Sequence, residues 1–553
     1  MSELRTLRMT PEDFAGLAGC RPSPSALAVL REGQVSRRLL MLKSLADTAR
    51  GAAPQLWIES GAAEGWDWCL KARATDVTAF EHVLMHPHLG VWLGRCLRLL
   101  HDTHDVSQLA VPLSRLATLG AAAALRSGLQ PRLSLPAPGG LLWLPTFGMV
   151  RLPPGVATAR LHGRHLRLRG RSVPLDGPQD EWSATVGPRL TPRDLVISPQ
   201  AAGSRPSVVL EDCDIFRDVH GASVQPRQTP GQLSAWRASA QEAWTVISAL
   251  LPERAAACAE LWAALVPLHP GPDRGGRSSS AREAFGAVAV APTPDPARLA
   301  EAVVHETAHI AFAALTDLVD LADPRDRSRH RVGWRPDPRP IGAVLTGAQA
   351  HLSLLEFWRR RAESTVGFSS REAEQRLHRY GMQVAAALGE MAGHRALTPP
   401  GARFVALMTE EAERCGFPVR GLRSSHPIGA PRDDSLIRVN SHTSPGHGEI
   451  PGSALPSRQM GGGNGDAAGS SASASETRRG LMGGAHGGAM SGTGVTQPLS
   501  CASGNNSIPF PHIRMASRFG VTGGTWARGA FLPAARRPPR STLPRDAVQL
   551  ESP

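Results

Sequence analysis

A chain of 553 residues, 41% hydrophobic and 20% charged, has a globular average composition and room for more than one folded region, while its 56 Gly and 47 Pro exceed what packed elements hold. The formal charge of +13 is not a nucleic-acid footprint: beyond residue 420, 13 Arg outnumber 7 acidic residues, and no basic stripe with interleaved aromatics, zinc-finger pattern or RNA-recognition signature accompanies the rest. Met1-Ser2-Glu3-Leu4-Arg5 starts no signal peptide, no run of 18 apolar residues occurs, and the 7 Cys form no C-x-x-C pair, so a soluble cytoplasmic protein with reduced thiols and no membrane partner is expected.

Residues 1–130 are expected to form a helical N-terminal region. Leu27, Leu30, Leu39, Leu42 and Leu45 recur at helical spacing, and a second such stretch runs from Val83 to Leu100, with Pro87 and Pro112 as punctuation. Residues 131–212 change texture. Leu141 to Leu144, Ala157 to Leu161 and His165 to Leu168 are short segments set between Gly and Pro, and alternation over Ala159 to Leu161 and His165 to Arg169 predicts a small antiparallel β-rich region; Val208 to Leu210 is a further strand running into Glu211, Asp212 and Asp214. Residues 213–420 return to helix, with Ser234 to Leu251 and Glu253 to Leu265 helical and Ala284 to Val290 a buried strand. The expected fold class is mainly α with a small antiparallel β region, an α+β arrangement around a helical metal-binding core. Gly461-Gly462-Gly463 and the Ser-rich stretch from Ser470 to Ser475 predict a low-complexity, disordered tail over 421–553.

The chemistry concentrates in His305-Glu306-Thr307-Ala308-His309. Asp295 and Pro296 suit the cap and first position of a helix, and apolar residues continue at helical spacing from Leu299 to Leu318. His305 and His309 then stand one turn apart on one face, the spacing that lets two imidazoles converge on a divalent ion, with Glu306 beside the first. A third ligand must come from elsewhere. In the next helix Val344, Ala348, His351, Leu355 and Trp358 form a stripe, so His351 is the first candidate; Glu356, on the flank of that stripe, is the alternative. Between the helices, a proline-stiffened loop over 333–340 carries Arg335 and Arg339, which suit either a bidentate clamp on a carboxylate or surface ion pairs with acidic neighbours such as Asp337.

Three groups of segments resemble a bacterial family of HExxH motif-containing peptide-modification proteins, whose members are regarded as iron(II)- and 2-oxoglutarate-dependent peptide β-hydroxylases. They are Val209 to Asp212 with Arg217 to Gly221, Ala284 to Val288, and Leu299 to His309 with Trp334-Arg335 through Trp358. The resemblance covers residues 200–400 closely and the N-terminal half loosely. It implies oxidation of a ribosomally made precursor peptide, beside other maturation enzymes such as a radical SAM protein. His305, His309 and a third residue would hold Fe(2+), and Arg335 or Arg339 would hold the distal carboxylate of 2-oxoglutarate. Glu306 would orient water or a ligand. Taken without the resemblance, the motif points to a zinc metallopeptidase, with Zn(2+) on the same histidines, Glu306 as general base and a substrate extended along Ala284 to Val290. A non-catalytic peptide-binding scaffold is the third reading.

Overall fold

Several helices start on the same local device, a hydroxyl or carboxylate cap followed by proline. Thr10-Pro11, Ser23-Pro24, Thr229-Pro230, Asp295-Pro296 and Thr398-Pro399 each place a side-chain oxygen on a free first-turn amide and a proline where no donor is needed. The computed structural model describes residues 7–102, 106–168, 170–175, 189–195, 197, 206–271, 277–364, 368–419 and 437–438. The tail expected over 421–553 lies outside them, apart from 437–438.

The helices are α1 (Pro11–Ala18), α2 (Pro24–Ala52), α3 (Pro54–Glu59), α4 (Ala62–Thr75), α5 (Val77–Leu84), α6 (Leu89–Asp102), α7 (Ala110–Arg126), α8 (Pro230–Leu250), α9 (Pro252–Leu261), α10 (Pro296–Thr316), α11 (Ile341–Ser364), α12 (Phe368–Met391) and α13 (Pro399–Arg414). The strands are β1 (Arg8–Met9), β2 (Arg132–Pro136), β3 (Leu141–Leu144), β4 (Gly148–Arg151), β5 (Thr158–His162), β6 (His165–Leu168), β7 (Arg171–Pro174), β8 (Arg189–Leu190), β9 (Arg193–Leu195), β10 (Val208–Leu210), β11 (Ala264–Pro267), β12 (Ser278–Ser279), β13 (Ala287–Val290), β14 (His330–Val332), β15 (Arg335–Arg339) and β16 (Ile437–Arg438). The protein is a mainly helical α+β fold. No helix among the described residues is long and apolar enough to cross a membrane.

Three details depart from the sequence reading. The stretch expected as helix from Glu253 to Leu265 ends at Leu261, and Ala264–Pro267 is instead a strand paired in parallel with both β10 and β13. A four-residue apolar run at a helix end carries no periodicity, and the pairing that makes it a strand is non-local. The segment expected as loop over 333–340 contains β15, paired antiparallel with β14. Finally, β9 to β13 form one mixed sheet in the order β12-β13-β11-β10-β9, which joins strands on both sides of residue 212, whereas β2-β5-β6-β7 and β3-β4-β8 are the antiparallel sheets expected from alternation.

The mixed sheet is covered on both faces, which is why β11 and β13 are apolar at every position. Alternate side chains serve two cores. Leu265, Val288 and Val290 point into one built from α8 to α13, while Ala264, Val266, Ala287 and Ala289 point into another built from α4 to α7 and the antiparallel sheets. Helix α2, 29 residues and about 44 Å long, contributes Leu27 and Leu30 to the first and Met41, Leu42 and Leu45 to the second. In the second core α4 and α7 touch backbone to backbone: a Cβ on Gly65 would lie 2.2 Å from the Leu116 carbonyl oxygen, and one on Gly120 2.2 Å from that of Gly65.

Candidate metal centre

The HExxH residues lie in the middle of α10, which runs from β13 back across the first core. Asp295 caps the helix through the Ala297 amide at 2.9 Å, and every residue from Leu299 to Thr307 is buried. His305 and Glu306 are buried and His309 half-buried. The His305 and His309 rings meet edge to face with centroids 4.7 Å apart.

His351, from α11, packs edge to face on His305 at 5.2 Å, so His305 stands between the other two imidazoles. Its Nδ1 lies 2.7 Å from the Gly347 carbonyl oxygen. A carbonyl only accepts, so Nδ1 carries the proton and Nε2 keeps its lone pair, the state in which a histidine ligates a metal. Trp334 stacks on the same ring, centroids 4.7 Å apart and planes 24° apart. Gly347 permits this, because a Cβ there would stand 2.8 Å from the Trp334 indole. A backbone hydrogen bond with Ala350 holds His305 in turn.

Glu306 is held on both oxygens. Ser278 of β12 donates to Oε1 and Ser280 to Oε2, each at 2.7 Å. These serines, Glu306, His309, Trp334, Arg335, Arg339 and His351 line one open cleft of about 170 Å³. Arg335 and Arg339 therefore reach the histidines' cleft, and both also pair with Asp337, at 3.2 and 2.9 Å. Glu356, the alternative third ligand, is not among the lining residues. It faces a cluster of arginines, with Arg21 and Arg360 at 2.5 Å and Arg254 at 3.4 Å. Burial works against its charge, but Arg254, Arg21 and Arg360 outweigh it and hold the carboxyl below its ordinary range. Sequence periodicity placed Glu356 on a flank of the helix, and that flank packs against α1, α9 and the Arg21 turn instead of the cleft.

Burial drives His305 and His309 from 6.5 down to about 3 and His351 to about 4, with neighbouring imidazoles adding to the shift in the first two. All three are neutral at pH 7, as metal ligation requires. In metal-free protein the same shifts set an acid limit. The unfolded chain takes up protons near 6.5 while the folded rings do not, so stability present above that pH is lost as pH falls from about 6.5 towards 3. At pH 5 the loss is up to about 2 kcal/mol per histidine. Urea unfolding of chelator-treated protein at pH 7 and pH 5 measures it, and His309→Gln should shrink the difference. Equal stability at the two pH values would mean that these rings are solvated.

The ligand atoms of His305, His309 and His351 do not all lie within 4.8 Å of one another in this structure. Among the described residues, one group of His, Cys, Asp and Glu brings its candidate ligand atoms within 4.8 Å of one another: His86, His88, Glu211 and Asp214. Residues 86 and 88 lie so far from 211 and 214 along the chain that no shared spacing in the sequence links them. Neither a scan against protein-family models nor a search of the curated proteins gives a match to this chain.

Proposed function

We propose that the α10–α11 cleft binds iron(II) and 2-oxoglutarate and hydroxylates a β-carbon of a ribosomally synthesised precursor peptide. The observation that carries this reading is the shared cleft, lined by the His309 and His351 imidazoles with His305 packed behind them, two arginines suited to a carboxylate, and a Glu306 whose oxygens both already accept hydrogen bonds. His305, His309 and His351 would hold the metal, and the donor set fits a divalent ion. Together with its co-substrate and dioxygen, such an iron centre supplies oxidation of an unactivated C–H bond.

The chain's own residues supply position. Asp337 holds Arg335 and Arg339 side by side, so that a small dicarboxylate meets two guanidinium groups already oriented. Trp334 and the Gly347 carbonyl fix the His351 ring, and Ser278 and Ser280 keep Glu306 beside the metal position. Ala289 and Val290 of β13 are paired on both sides, by β12 and by β11, so they offer an extended peptide no free edge. The outer strand on that side is β12, which carries one of the Glu306 serines, and an extended peptide would add there.

Zinc metallopeptidase is the second reading, since three histidines with a neighbouring glutamate are also a catalytic zinc donor set. Full-length protein loaded with iron(II) and given 2-oxoglutarate, air and a precursor peptide encoded beside its gene is expected to release succinate, with the peptide gaining one oxygen atom. Zinc-loaded protein that cleaves the peptide while succinate never forms would replace this reading with the peptidase, and the absence of affinity for either metal would leave a peptide-binding scaffold. Glu306→Gln separates the enzymes further. It should retain metal and most succinate release, because the amide oxygen still accepts from one serine, whereas a peptidase would lose its general base and about 100-fold or more in rate.

A further inference from the structure

On the other side of the mixed sheet, two turns bring four ligand-type side chains together. His86 and His88 flank Pro87 in the turn between α5 and α6, and Arg38 of α2 anchors that turn by donating to the carbonyls of Leu84, His86 and Pro87 at 2.9, 2.9 and 3.1 Å. Glu211 and Asp214 lie just beyond β10. Each commits one oxygen to backbone: Glu211 Oε1 accepts from the amides of Cys213 and Asp214 at 3.0 and 2.8 Å, and Asp214 Oδ1 accepts from Phe216 at 2.8 Å.

The remaining oxygens turn to the histidines. His86 Nε2 is 3.3 Å from Glu211 Oε2, and His86 Nδ1 is 3.8 Å from Asp214 Oδ2. Asp214 Oδ2 and the Nδ1 atoms of His86 and His88 are buried with no hydrogen-bond partner, and His88 and Asp214 are 0% and 1% exposed. Leaving such atoms unpaired costs free energy, and one ion would satisfy several of them at once. Ligands about 2.0–2.1 Å from a tetrahedral zinc stand roughly 3.4 Å apart, so a group already within 4.8 Å needs only a small closure. Arg115, sandwiched between Trp143 and Phe216 at 3.9 and 4.2 Å, offsets part of the two carboxylates' charge from 3.6 Å behind Asp214.

We propose that His86, His88, Glu211 and Asp214 hold a structural divalent transition-metal ion, zinc by the mixed nitrogen and oxygen donor set, separate from the HExxH centre. Four protein ligands and deep burial leave no open position for substrate, which marks a structural site. The ion ties the turn before α6 to the end of β10, and so the N-terminal helices to the mixed sheet.

The test uses the full chain carrying His305→Ala, His309→Ala and His351→Ala, which removes the cleft's ligands. After chelator treatment this protein is titrated with zinc against a chromophoric competitor, and with cobalt(II) to read tetrahedral visible absorption. One equivalent is expected to bind, with the cobalt spectrum of a four-coordinate site and a Tm rise of about 3 °C at a hundredfold excess of zinc over Kd. Adding His88→Gln or Asp214→Asn should weaken zinc binding at least about tenfold with unchanged far-UV circular dichroism. A folded triple variant that binds no zinc and shows no Tm change overturns the proposal and leaves a metal-free network with His86 between two carboxylates. So does a folded His88→Gln protein with undiminished affinity. If the added substitutions prevent folding, the titration and cobalt spectrum of the triple variant decide alone.

Discussion

His351→Ala is expected to weaken metal binding in the α10–α11 cleft by about a hundredfold or more, while Glu356→Ala changes it by less than about threefold. Two helix-borne histidines do not complete a site, and His351 is the residue whose position and protonation suit the third place. Its Nδ1 donates to Gly347, its Nε2 is left with a lone pair, and its ring lies against His305 under Trp334. Glu356 is one turn further on, but its carboxylate is surrounded by Arg21, Arg254 and Arg360. Competition titration of iron(II) or zinc on protein that also carries His88→Gln confines the measurement to the cleft. Normal affinity in His351→Ala with loss in Glu356→Ala would reverse the ligand assignment.

The same glutamate has the largest expected effect on stability. Glu356→Ala should cost about 3–5 kcal/mol in urea unfolding, because it strands a buried cation. The Arg254 side chain is 3% exposed and cannot turn to water, whereas Arg21 and Arg360, at 28% and 29%, can. Arg254 keeps one hydrogen bond, to the Ser353 carbonyl at 2.8 Å, which does not neutralise its charge. Removing both partners is a different change: Arg254→Met with Glu356→Leu should recover much of the loss, since an apolar replacement leaves no unpaired charge. A cost below about 1 kcal/mol for Glu356→Ala alone would show that water already reaches the pair. Because the two substitutions at 351 and 356 act on different quantities, affinity and stability, the assignments can be tested independently.

What the sequence by itself determined is what neighbours along the chain control. Asp295-Pro296 starts α10, the four-residue spacing puts His305 and His309 on one face, and the stripe through Val344, Ala348, His351 and Leu355 turns His351 inward. Alternation likewise marked β5 and β6 as strands of an antiparallel region. These follow from helical and strand periods, which each segment carries alone. Only the tertiary structure decided that Ser278 and Ser280 clasp Glu306, that Arg335 and Arg339 line the histidines' cleft while paired through Asp337, and that Glu356 belongs to an ion cluster. It also made Ala264–Pro267 a central strand and brought His86 and His88 to Glu211 and Asp214. Apart from the local Asp337 pairs, each of these contacts joins segments far apart along the chain, so it leaves no period to read. It exists because the two faces of one sheet bury different sets of side chains and carry the polar groups at their edges into register.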